Sequence, residues 1–179
     1  MKIAVFVGSL QKKSYNRALA HALENVAPDG VEFDYVPIDT VPYFSQDLET
    51  DVPAEVKKIR QQVAEADGVL FVTPEYNRGV PGVMKNALDW VSRPYGESAF
   101  KRKPLGIVGA SATPTGTAVA QAQLRSFAGF LEMQLMGQPE IYVGNAYEVF
   151  TEEGELISER WEKNFRAYMD AFTQWVQSK

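Results

Sequence analysis

The fullest set of chemistry-bearing residues in this sequence is Thr73-Pro74-Glu75-Tyr76-Asn77-Arg78-Gly79-Val80-Pro81-Gly82. Within a few positions it gathers a carboxylate, a phenol, an amide and a guanidinium. A second stretch, Gly8-Ser9-Leu10-Gln11-Lys12-Lys13-Ser14-Tyr15-Asn16-Arg17, offers Ser9, Gln11, Ser14 and Asn16 as neutral donors just where a helix begins. Hydroxyls and backbone N–H groups at a helix start suit a phosphate, by hydrogen bonding and by the helix dipole. Neither nucleotide fingerprint is present: no Gly-Lys-Ser/Thr follows the loop, and Gly-x-Gly-x-x-Gly is missing. A third stretch, Ser111-Ala112-Thr113-Pro114-Thr115-Gly116-Thr117, is small and hydroxyl-rich. With no cysteine there is no thiolate nucleophile, disulfide or iron–sulfur ligation. The one histidine, His21, falls on a helix a turn past Arg17, which leaves no histidine base and a poor case for a bound metal.

The elements that must position these stretches follow from hydrophobic periodicity. Ile3 to Val7, Gly68 to Val72 and Pro104 to Gly109 are short apolar runs read as buried strands, and each runs straight into one of the three stretches. Val31 to Ile38 is a weaker strand nearer an edge, because Glu32 and Asp34 interrupt it, and Ile141 to Val143 is a short fifth one. Ser14 is the expected N-cap of a helix carrying Ala18, Leu19, Ala22, Leu23 and Val26 on one face. Pro53 and Pro81 open further helices at or near the first helical position. Val119, Ala122, Phe127, Phe130 and Leu131 are expected on the buried side of a fourth helix. Ile157, Trp161, Phe165, Tyr168, Phe172 and Val176 mark the last. Asp39 to Asp47 has no period and reads as loop.

This strand–helix alternation predicts an α/β fold, a doubly wound parallel sheet with helices on both faces. Five strands fit the flavodoxin-like order 2-1-3-4-5 better than a six-stranded dinucleotide fold. In that order the first, third and fourth strands are neighbours, so the three loops converge at the carboxyl ends of the strands. Residues 1–179 are expected to form one domain.

Composition narrows the partners. The chain has 18 basic and 23 acidic residues, a net charge of −5 and no basic run, which argues against nucleic acid or an anionic membrane. Its opening apolar run is too short for a signal or a membrane span, so a cytoplasmic protein is expected. Met84 and Trp90, with Phe130 and Met133, offer more apolar surface than one small domain obviously needs, which predicts at least a dimer.

Taken together, Gly8-Ser9 with Ser14 and Asn16, Thr73 to Asn77 with Val80-Pro81-Gly82, Lys85-Asn86-Ala87, Asp89-Trp90 and the Ser111–Gly116 loop resemble the NADPH-dependent FMN reductase family. The family holds flavodoxin-like FMN, quinone, azo-dye and chromate reductases, and the matching motifs run from residue 3 to about 135. The resemblance implies an FMN phosphate held by Ser9, Gln11, Ser14, Tyr15 and Asn16. It implies a flavin bordered by Pro74, Glu75, Tyr76 and Asn77, and flanked by Ser111, Thr113, Thr115 and Gly116. Many relatives carry an Arg where Gln11 stands. Glu75 is expected to fix its loop more than to transfer a proton; Arg78 reads first as a solvent or intersubunit contact and second as a substrate-binding residue that draws in the nicotinamide phosphate. Lys101, Arg102 and Lys103, expected to be solvated, could also attract an anionic dinucleotide. The implied activity is hydride transfer from NADPH or NADH through FMN to a quinone, flavin, azo compound or chromate, in a homodimer or homotetramer with no catalytic side chain of its own. A flavodoxin-type electron carrier is the alternative.

Overall fold

Apolar runs with no polar interruption build the middle of a parallel sheet in a computed structural model that describes residues 1–179. Strands β1 (Lys2–Val7), β3 (Gly68–Val72) and β4 (Pro104–Ala110) lie side by side, and β2 (Glu32–Tyr35) pairs with β1 at the edge. β3 and β4 are buried along their whole lengths, as a strand covered by helices on both faces must be. The order β2-β1-β3-β4-β5 is the flavodoxin-like one, with every pairing parallel. The fifth position is filled by two pieces. β5 (Gln134–Leu135) pairs with the start of β4 and β6 (Ile141–Val143) with its end. Only the second of these was expected. The two-residue strand Gln134–Leu135 is too short to leave a periodic signal.

Alternating side chains sort the sheet into two cores. Ile3 and Val5 face helices α1 (Tyr15–Asn25) and α5 (Glu159–Gln177), whereas Ala4 and Phe6 face α2 (Ala54–Glu65), α3 (Gly82–Val91) and α4 (Ala118–Phe130). Pro53 and Pro81 stand at the N-caps of α2 and α3, one residue ahead of the first helical turn. Met84, Trp90 and Met133, expected to offer surface beyond the needs of one domain, are buried within this second core. No helix is long and apolar enough to cross a membrane.

The fourth helix differs from expectation in phase. Its buried residues are Ala120, Gln121, Leu124 and Ala128, a stripe in steps of three and four. Val119, Ala122 and Phe130 point outward, and Phe127 and Leu131 only lean on the core. Side-chain size is a poor guide to the phase here, because the buried face of α4 is made by two alanines, Gln121 and Leu124. Ile157 likewise lies exposed ahead of α5 instead of on its buried stripe.

The aperiodic segment after β2 has its own anchor. The carbonyl of Pro42 accepts from Asn86 Nδ2 at 3.0 Å and from Trp90 Nε1 at 2.8 Å, and Phe44 N donates to Asn86 Oδ1 at 2.8 Å. Phe44 then sets its ring edge-on to Trp90 at 4.9 Å. A turn of 3₁₀-helix, Gln46–Glu49, completes the segment. Asn86, expected to pair only locally, instead ties α3 to a loop more than forty residues earlier; Lys85 does pair locally, with Asp89 at 2.7 Å.

Candidate functional site

Three parallel strands ending at the same edge bring the three stretches together, because β1, β3 and β4 are adjacent and in register. The β1–α1 loop is the most donor-rich. Ser14 is the N-cap of α1, its Oγ accepting from the N–H groups of Asn16 at 3.2 Å and Arg17 at 3.4 Å. That leaves the hydroxyl proton free to be donated. The backbone N–H groups of Ser9, Leu10, Lys12, Lys13, Ser14 and Tyr15 make no hydrogen bond within the chain. Orphan donors clustered at the positive end of a helix form a cradle for an anion. Ser9 and Ser14 are both almost fully buried, so the cradle is walled as well as charged. On its outer side lies a hollow of about 360 Å³, lined by Gln11, Lys12, Ser14, Tyr15 and Arg17 and by the Thr151–Gly154 segment.

Asn16 has a different job from the one expected. Its Nδ2 donates to Ala110 O at 2.9 Å and its Oδ1 accepts from Ala110 N at 2.9 Å. A carboxamide matches both polar groups of one residue's backbone, so this side chain is spent as a strut between α1 and the end of β4. The first and third loops are thereby locked to each other. His21 is also accounted for: it is exposed on α1 beside Tyr35 at 3.2 Å and Glu24 at 3.5 Å. It lines the same hollow, one turn of α1 past Arg17.

The β3–α3 loop is a tight turn. Tyr76 and Gly79 exchange N–H···O bonds in both directions, at 3.1 and 3.0 Å, with Asn77 and Arg78 between them in the left-handed region at φ of 51° and 60°. Consecutive left-handed residues make a primed turn, which Asn accepts readily and Arg does not. Pro74 is buried, and Thr73 Oγ1 donates to its carbonyl at 2.7 Å. Tyr76 projects outward, about half exposed. The Glu75 side chain is only 6% exposed, and its Oε2 accepts from Val119 N at 3.0 Å and Ala120 N at 3.1 Å. Arg78 approaches the other oxygen at 3.2 Å but is itself 69% exposed. Gln123, which the sequence gave no reason to notice, accepts from Val80 N at 3.0 Å.

The third loop is rigid despite its small residues. Ser111 N donates to Val143 O at 2.9 Å, Ser111 Oγ accepts from Thr113 N at 3.1 Å, and Asn145 N donates to Thr113 O at 3.2 Å. Gly116, at φ of 63°, lies against Tyr142, where a side chain would be both strained and crowded. Burial, together with donation to Glu140 at 2.9 Å, raises the Tyr142 phenol above its ordinary pKa, so the loop rests on a neutral ring. Ala112, Thr113, Pro114 and Thr115 are exposed along the rim.

Two expectations fail on position. Lys101, Arg102 and Lys103 precede β4, at the edge of the sheet opposite these loops, and cannot help to draw a ligand into them. Nor are they all solvated: Lys103 Nζ donates to Ala64 O at 2.8 Å and Ala66 O at 2.5 Å, capping α2, and burial lowers its pKa. A hollow of about 500 Å³ lies at the same far side. It sits between α3 and α4 and is lined by Leu88, Arg93, Tyr95, Lys101, Phe127 and Phe130.

Known proteins resemble this chain over its whole length. The sequence profile of the NADPH-dependent FMN reductase family matches residues 1–148. A 2-hydroxy-1,4-benzoquinone reductase of Burkholderia sp is 46% identical over 179 residues, covering 100% of this chain and 98% of that protein. A quinone reductase of Pseudomonas putida is 42% identical over 176 residues, covering 98% and 94%. Among solved structures, FerB, a flavoenzyme NAD(P)H:(acceptor) oxidoreductase from Paracoccus denitrificans, superposes with a TM-score of 0.93 at 36% identity, over 99% of this chain and 97% of that one.

Proposed function

Because the chain belongs to the NADPH-dependent FMN reductase family, we infer that it seats FMN across its three sheet-end loops and delivers reducing equivalents from NADPH or NADH to a small quinone. It is an NAD(P)H-dependent flavoenzyme and not a bare electron carrier. The residues present fit the cofactor. The observation that carries the assignment is the set of free backbone donors at Ser9, Leu10 and Lys12 to Tyr15, with the unspent Ser14 proton at the α1 start. Neutral hydrogen bonds and a helix dipole suffice for a phosphate, which explains how the site does without an Arg at Gln11. Ser9, Gln11, Ser14 and Tyr15 are the proposed phosphate residues. Pro74, Tyr76 and Asn77 would border the ring on one side, and Ser111, Thr113, Thr115 and Gly116 on the other.

When bound, FMN supplies the hydride chemistry, accepting from the nicotinamide and passing on to the acceptor. The chain's own part is to bind, orient and leave one face accessible. The exposed rim Ala112 to Thr115 carries no aromatic side chain that would cover a stacked substrate. A quinone is the proposed acceptor because the relatives of greatest similarity reported above are named for quinones. Free flavin, azo compounds and chromate could use the same open face. The proposed location is the cytoplasm, where the reduced nicotinamide pool resides. Titration of the FMN-free protein tests the cofactor assignment. FMN should bind more tightly than FAD, since no second half-site is present for an adenosine; tighter FAD binding would contradict it.

Self-association is proposed as well, through the outward face of α3 and α4 and not through Met84 or Trp90. Phe130 is 78% exposed there, beside exposed Tyr95 and the 500 Å³ hollow. Around them Lys85–Asp89 and Lys101–Glu132 alternate in sign, as a self-complementary two-fold contact requires. Phe130→Glu should convert a dimer, or a tetramer built on it, to a smaller species in light scattering at micromolar concentration. An unchanged mass would move the contact elsewhere.

A further inference from the structure

Helix α4 has no cap of its own. Its N-cap residue, Thr117, makes no side-chain cap bond, and no acidic residue stands in the first turn. The Thr117 hydroxyl is turned inward to accept from Gln121 Nε2 at 3.0 Å, in the space left by Gly109, where any Cβ would collide with it. The N–H groups of Val119 and Ala120 would be orphaned if Glu75 did not reach them from the other loop. One turn further along α4, Gln123 grips the same turn again. Its Oε1 takes Val80 N at 3.0 Å and its Nε2 donates to Arg78 O at 3.3 Å.

We propose that Glu75 and Gln123 are positioning residues that clamp the 75–80 turn to the start of α4, and so set one fixed spacing between the two loops that flank the flavin. This rests on the site assignment above. Three features favour positioning over proton transfer. Both Glu75 oxygens are engaged, the carboxylate is nearly sealed from water, and its second partner in the clamp, Gln123, has no titratable proton. A carboxylate at a helix N-terminus is held by charge and dipole together. The left-handed pair Asn77–Arg78 between the two grips is a conformation that needs such fixing.

The test uses the full chain with Glu75→Ala, Gln123→Ala, the double variant, Glu75→Gln as rescue, and Gln61→Ala on exposed α2 as control. FMN affinity of the FMN-free protein, kcat and KM for NADPH, and amide hydrogen exchange at Val119 and Ala120 are measured. Each alanine variant should weaken FMN by about tenfold, the scale of losing the hydrogen bonds that hold the loop in place. The double variant should lose less than the product of the two, because they hold one turn. Turnover should fall at unchanged KM for NADPH. Glu75→Gln, which keeps an acceptor for α4, should recover FMN affinity to within about threefold of the parent. In Glu75→Ala the two amides should exchange faster even with no flavin present, while Gln61→Ala matches the parent throughout. Parent-like affinity and turnover in both alanine variants would overturn the clamp, as would a Glu75→Gln no better than alanine. If the parent itself binds no FMN, the site assignment fails, and the exchange result alone then decides whether the clamp exists.

Discussion

Ser14→Ala is expected to weaken FMN binding by about tenfold or more. A hydrogen bond to a charged group contributes roughly 1.5–3 kcal/mol, and each 1.4 kcal/mol is about a factor of ten. The Ser14 hydroxyl has a second duty, as N-cap of α1 through Asn16 N and Arg17 N. Alanine therefore also costs about 1 kcal/mol of stability, and the two effects must be separated. Ser14→Asp separates them. Aspartate caps a helix as well as serine does, so thermal stability should hold, yet a carboxylate facing the phosphate should lower FMN affinity further than alanine does. His21→Ala should leave affinity nearly untouched, since the ring is occupied at the surface with Tyr35 and Glu24. Fluorescence titration of the FMN-free variants reads all three. Equal losses for Ser14→Ala and His21→Ala, or full FMN affinity in Ser14→Asp, would remove the phosphate from this loop.

Thr115→Trp should slow flavin reduction by NADPH strongly while FMN stays bound. The rim Ala112 to Thr115 is exposed and without an aromatic ring, on a loop fixed at its base by Ser111, Thr113 and Asn145. Hydride transfer needs reacting atoms about 3–3.5 Å apart, and loss of that approach costs orders of magnitude in rate. An indole at the rim of a rigid loop competes with the nicotinamide for the open face, and no donor of the phosphate cradle is disturbed. Stopped-flow absorbance at saturating NADPH, with FMN affinity measured in parallel, gives both quantities. An unchanged reduction rate would mean that the nicotinamide approaches from another side.

Much of this was legible because the fold's main signals are local. The runs Ile3–Val7, Gly68–Val72 and Pro104–Gly109 have the length and composition of buried strands, and the alternation with helices left few orders for them. Ser14 as a cap and Pro81 as a helix opener are likewise written in neighbouring residues. What stayed hidden is long-range hydrogen bonding, which has no period. Asn86 holds Pro42 and Phe44, Asn16 holds Ala110, and Gln123 holds Val80, each across some forty residues or more. Polar residues such as these read as ordinary helix surface until the partner segment is seen. The α4 error has the opposite origin. Phe130 and Val119 were assigned inward for their size, but the sheet contacts α4 through Ala120, Leu124 and Ala128. Lys103 was expected in water for its charge, and instead lays its stem against the protein to reach α2 carbonyls.

The central claim is that this chain alone moves reducing equivalents from a nicotinamide to FMN and on to a quinone. The most direct measurement is the visible spectrum of the purified, FMN-loaded protein as NADPH is added without oxygen, followed by a small quinone. The account predicts that NADPH bleaches the flavin band with no other protein present, that the quinone restores it, and that steady-state kinetics are ping-pong. A flavin band that persists until a separate reductase is supplied would contradict it, and would make the protein an electron carrier.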